Sequence, residues 1–184
     1  PVFETMTSET AGAMRKSIEF YDSIMLQSTK PEQIHIYYSP GNTGEEIAFK
    51  RFEEDEGECS ISLYSELVSH SGYDFGMMNQ AIATFIFYCY EDSTFNPQMG
   101  KDSWWYYGAA EYFSNQVYPD VNREHRNNKF FDLRSVVYPI GWMRQENFVF
   151  FQYLGNRWGD FRLLTMLYDG NLTENLHVHV SEDE

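Results

Sequence analysis

Positive charge is scarce in this chain. Thirteen Lys and Arg stand against 28 Asp and Glu, for a net charge of −15. That balance repels a phosphate backbone and an anionic membrane surface, so neither nucleic acid nor membrane is expected as a partner. Long apolar runs are also missing. No segment reaches the roughly 18 apolar residues that a bilayer-spanning helix needs, and the opening PVFETMTSE has neither the basic start nor the apolar stretch of a signal peptide. Cysteine is nearly absent: Cys59 and Cys89 leave room for one disulfide or for two buried thiols. There is no Gly-rich phosphate loop, no G-x-S-x-G elbow, no C-x-x-C and no His-x-x-x-His pair. The common signatures of phosphoryl transfer, serine hydrolysis, dithiol exchange and zinc catalysis are therefore lacking.

Aromatic residues are plentiful. Phe, Tyr and Trp supply 18% of the 184 residues, within a hydrophobic share of 42%. This is ample for one packed domain and argues against disorder. The rings serve first as core filling, because each buries a large area, and second as candidate walls of a cleft for a flat ligand. Acidic residues gather in EEDEGE (53–58) and in the terminal SEDE, which read as solvated stretches without ligand spacing.

The order of elements predicts an α+β protein with a small early sheet and a helical second half. Residues 7–29 open on Thr and Ser and repeat apolar side chains at Ala11, Met14, Ile18, Tyr21 and Met25, an amphipathic helix ended by Lys30-Pro31. IHIYYSPGN reads as a strand and turn with Ile34 and Ile36 on one face, and AFKRF as another strand. CSISLYSEL alternates Cys59, Ile61 and Leu63 against Ser60 and Ser62, a half-buried strand. Gly76 to Glu91 is apolar nearly all round and so predicts a central helix. A helix from Trp104 to Val117 follows, with Asp102 or Ser103 to cap it and Tyr118-Pro119 to stop it. Two more are expected over Glu146–Leu154, closed by Gly155-Asn156, and over Phe161–Tyr168.

Two of these helices carry a familiar arrangement. WWYYGAAEYFSN, with Trp104, Gly108, Ala110, Tyr112 and Phe113, resembles the second-helix pattern of gluzincin-type zinc peptidases, W-x-x-E-G-x-A-x-Y-F. FVFFQYLGNRWG is similar to the helix that packs behind it. The likeness covers about residues 30–168, leaving 169–184 as a tail, and is nearest to secreted fungal and bacterial relatives known only as metallopeptidase-like. It implies a zincin-like single domain whose core helix should hold His-Glu-x-x-His. Two His one turn apart then bind zinc, the Glu between them polarises the bound water, and a distant Glu completes the coordination. Laid on this chain, Thr84 takes the first His position, Phe85 the general base, Tyr88 the second His, and Tyr107 the distant Glu. Phe and Thr are no zinc ligands, and neutral phenols bind zinc poorly near neutral pH. Glu111 survives in GAAEYF, but a shifted register has no His pair to join it.

The resemblance thus implies a catalytically dead member without metal. Its vacated cleft would be walled by Thr84, Phe85, Tyr88, Trp104, Tyr107 and Glu111, and would suit a small apolar or aromatic molecule such as an organic chromophore. A protein-interaction or storage role with the cleft filled in is the alternative, and an enzyme with an unrecognised site comes last. Cys59 and Cys89 would flank the cleft from the last strand and the core helix, where a structural disulfide is preferred to a nucleophilic thiol. A secreted or extracytoplasmic protein is expected. His35, His70 and His125 keep no informative company, His177 and His179 lie in a tail beside SEDE, and Asn171 heads a glycosylation triplet.

Overall fold

A stripe of side chains spaced four, three, four and four residues apart runs down the first helix: Met6, Thr10, Ala13, Ser17 and Tyr21 are all buried. The computed structural model that places them describes residues 2–24, 31–39, 58–64, 75–92, 104–121 and 147–159. Within these the protein is mixed α+β and mostly helical. Its elements are α1 (Val2–Ile24), β1 (Gln33–Ser39), β2 (Glu58–Tyr64), α2 (Phe75–Asp92), α3 (Trp104–Val117) and α4 (Phe148–Trp158). The expected strand AFKRF and the expected helix Phe161–Tyr168 lie outside the described residues, as do His70, His125, Asn171, His177 and His179.

Helix α1 differs from the expectation in two ways. It begins at Val2 rather than at Thr7, because Met6 extends the apolar period upstream of the Thr and Ser that resembled caps. Its buried stripe is also turned by about one position, with Ala11 exposed and Met14 and Ile18 half-buried. Two polar residues sit on the buried stripe because each has a hydrogen bond there. Thr10 Oγ1 accepts from the Tyr38 hydroxyl at 2.7 Å, and Ser17 Oγ donates to the Ala13 carbonyl at 2.7 Å.

Strands β1 and β2 pair in parallel, from Gln33 opposite Glu58 to Ser39 opposite Tyr64. On β2 the serines do not face water, since Ser60 and Ser62 are buried along with Cys59, Ile61 and Leu63. The half-buried expectation is corrected accordingly: parallel strands are commonly covered on both faces.

Helix α2 is the centre, as its all-round apolarity predicts: Met78 and every residue from Gln80 to Tyr90 are buried. Each neighbour meets it through a definite contact. From α1, the Tyr21 hydroxyl donates to the Ala83 carbonyl at 3.0 Å, while the Tyr90 hydroxyl donates to Asp22 Oδ1 at 2.6 Å. From β2, Cys59 is disulfide-bonded to Cys89, with Cα atoms 5.6 Å apart. From α3, Phe113 stacks on Phe87 with ring centroids 5.6 Å apart.

Burial first, and then the hydrogen bond to Asp22 and its charge, push the Tyr90 phenol well above its ordinary value. The folded state therefore favours the neutral phenol. That contribution is complete below about pH 10, the ordinary phenol range, and is lost as pH rises above it. Denaturant midpoints taken up a pH series should fall on the alkaline side, and Tyr90→Phe should flatten that fall. A variant with the same alkaline slope as the parent would assign the loss to other groups.

Helix α4 crosses α3 at a glycine. A Cβ at Gly108 would lie 2.6 Å from Asn147 Cβ and 2.9 Å from the Asn147 backbone carbon, with Phe151 Cδ2 at 3.0 Å. Backbone cannot swing aside as a flexible side chain can. Gly108→Ala should therefore lower stability by about 1 to 3 kcal/mol despite the better helix propensity of alanine, as read from urea unfolding. An unchanged or raised midpoint would mean that the two helices are not in contact here. Helix α4 also continues through Gly155-Asn156, where a stop was expected. Gly155 is buried within the helix, and the chain turns at Gly159 with φ 85° and its N–H on the Gly155 carbonyl at 2.7 Å.

Candidate functional site

Thr84 and Tyr88 are four residues apart on α2 and so lie on one helix face, about 6 Å apart along the axis. Across from them, α3 runs back after the connection over residues 93–103 and offers Tyr107. The rings of Tyr88 and Tyr107 meet edge to face, with centroids 6.2 Å apart and planes at 79°. Phe85 lies 6.2 Å from Tyr88, and Phe87 lies 6.3 Å from it on the other side. Tyr88 is thus the hub of an aromatic cluster that continues through Phe87 to Tyr21 and Phe113.

The depth of each residue differs. Thr84 is 2% exposed, Phe85 8% and Tyr88 6%. Tyr107 is only half-buried and forms the rim. Glu111, one turn further along α3 on the face of Tyr107, is completely buried. A carboxylate in such a place is costly unless its charge is compensated. The Thr84 hydroxyl donates to the Gln80 carbonyl of its own helix at 3.1 Å, a common way for threonine to be satisfied in a buried helix.

Of the six residues expected at the site, the structure brings Phe85, Tyr88 and Tyr107 into one ring cluster. Thr84 shares the helix face of Tyr88, and Glu111 that of Tyr107. Trp104 opens α3, but its side chain lies outside the described residues. Gln80 was not anticipated. It is fully buried one turn before Thr84, so Gln80, Thr84 and Tyr88 form a continuous polar stripe on an otherwise apolar helix. The four-residue spacing was the available signal. Among the described residues, no three His, Cys, Asp or Glu side chains are grouped so as to hold a metal ion.

The disulfide joins Cys59 to the residue after Tyr88, fixing this turn of α2 to the sheet. Such bonds form and persist in oxidising compartments, and no described helix is long and apolar enough to cross a membrane. Both facts are compatible with an extracytoplasmic protein. No family model, no curated protein and no solved structure matches the chain.

Proposed function

We propose that the chain is a secreted, non-catalytic binding protein built on a zincin-like domain, whose seam between α2 and α3 takes a small apolar or aromatic molecule such as an organic chromophore. The observation that carries this reading is the meeting of Tyr88 and Tyr107 from two helices, at the positions where the resembled peptidases hold metal ligands. Edge-to-face rings suit the wall of an aromatic-binding cleft, and each phenol brings a hydroxyl that could orient a ligand. Tyr107, half-buried, stands where a ligand would enter, and Phe85 and Phe87 supply apolar wall. Phe85 has no atom that can accept a proton, so the general-base step of the resembled peptidases has no counterpart at its position.

The test is the absorption spectrum of protein purified from its natural source. A band beyond the Tyr and Trp range that leaves on organic extraction supports a bound chromophore. Tyr107→Ala should weaken it by removing one ring of the pair. A spectrum of Tyr and Trp alone, with nothing in the extract by mass spectrometry, removes the reading. Elemental analysis after dialysis should find no stoichiometric zinc.

A second reading, a protein-interaction or storage role with the cleft filled, draws on different facts. Thr84 is already satisfied by its own helix, and Phe85 and Tyr88 are almost wholly buried. On this reading Tyr107→Ala changes stability only, and no small molecule accompanies the purified protein.

A further inference from the structure

Away from the Tyr88–Tyr107 pair, α1 reaches α2 through Glu9 and the end of α3 through Lys16, and one amide oxygen on each of α2 and α3 lacks a donor. Asn79 Nδ2 donates to Glu9 Oε2 at a long 3.4 Å. The other end of that amide, Asn79 Oδ1, is shielded from solvent and has no hydrogen-bond partner among the described residues, and the same is true of Asn115 Oδ1. Asn115 lies one turn before Tyr118. Burial first, and the charge of Glu9 second, raise the Tyr118 phenol above its ordinary value. The Lys16 ammonium stands 4.2 Å from the centroid of the Tyr118 ring, so this ring face accepts a cation of that shape.

We infer that this junction binds a small primary ammonium group, with Glu9, Asn79 Oδ1 and Asn115 Oδ1 as acceptors and Tyr118 beside the carbon end. A primary ammonium has three N–H donors, which matches three acceptors of which one is charged. Hard divalent cations ask for six or more oxygens, more than the three acceptors here. An anion would face Glu9 and two carbonyl oxygens. A shielded amide oxygen without a donor destabilises the fold, so a ligand that supplies one is bound in preference to the empty state.

The experiment compares thermal unfolding in methylammonium, tetramethylammonium and sodium chloride at equal ionic strength. All three screen the net charge, but only methylammonium carries N–H donors. Methylammonium at roughly ten times its dissociation constant should raise Tm by about 3 to 6 °C over the sodium control, and tetramethylammonium should not. Equal shifts in the two amines overturn the inference and leave ordinary charge screening. Glu9→Gln and Asn79→Leu should each abolish the methylammonium increment. The second variant removes an orphaned oxygen and should fold at least as well as the parent. Full retention of the increment in Asn79→Leu would also overturn the inference, because the amide would then take no part.

Discussion

Removing the disulfide by Cys59→Ala together with Cys89→Ala should cost about 3 to 4 kcal/mol of stability. The bond closes a loop of 30 residues, and chain entropy alone accounts for a loss of that size because the unfolded chain gains freedom. Alanine is preferred to serine as the replacement. Both sulfurs are buried, Cys59 at 3% and Cys89 at 2% exposure, and a hydroxyl placed there would need a partner. The measurement is urea unfolding of parent and variant. The slope should rise for the variant, whose unfolded state is no longer cross-linked and exposes more surface. In the parent, no thiol should react even after denaturation. Two titratable thiols in protein from its natural source, or a variant within about 1 kcal/mol of the parent, would show that the bond does not hold β2 to α2.

The consequences reach the candidate site, because Cys89 follows Tyr88. With the bond gone, the last turns of α2 depend on the Tyr90 hydroxyl to Asp22 and on the stacking of Phe87 with Phe113. The Tyr88–Tyr107 contact should loosen before the α1–α2 contact at Tyr21 does, since Tyr21 is anchored further up the helix at the Ala83 carbonyl.

The sequence made some of this legible through local chemistry. Helix α3 runs from Trp104 to Val117 as expected, and Tyr118-Pro119 follows it. Helix α2 was readable within a residue at each end from its apolar length. The errors fall where tertiary contacts override local pattern. The apolar period read from the sequence passes over Thr10 and Ser17, which are buried with Tyr38 and the Ala13 carbonyl as their partners. Ser60 and Ser62 look exposed until both faces of β2 are covered. Gly155 looks like a helix stop, but it is buried inside α4, and the stop falls to Gly159, whose positive φ suits the turn. At the candidate site, the family resemblance together with its spacing implied Tyr88 opposite Tyr107. It could not show that Thr84 turns its hydroxyl back to its own helix, nor that Gln80 extends the polar stripe. Those depend on rotamers and on depth, which no periodicity encodes.

The combination Thr84→His, Tyr88→His and Tyr107→Glu should give the chain a zinc site that fills stoichiometrically. Positions 84 and 88 share one face of α2, so two imidazoles there can converge on a single ion, with Zn–N distances of about 2.0 to 2.1 Å. Position 107 already faces 88 across the seam at 6.2 Å between ring centroids, a gap that an ion and a carboxylate can bridge. Replacing Thr84 removes the hydroxyl that donates to the Gln80 carbonyl at 3.1 Å. Histidine is larger than threonine, and overpacking costs about 1 to 3 kcal/mol in a tight core. The two lost tyrosines return volume beside it. A new carboxylate one turn from buried Glu111 adds like-charge repulsion, so the metal-free variant should be less stable than the parent. Zinc should reverse that loss, raising Tm in the variant and leaving the parent unchanged, because it binds only the folded form. Affinity should fall short of a natural site by about 10- to 100-fold for each missing group that would orient an imidazole. A variant that stays folded, shows no zinc by elemental analysis and gains nothing in Tm would mean that these three positions do not converge. The likeness of TFIFY to a replaced metal motif would then be a coincidence of spacing.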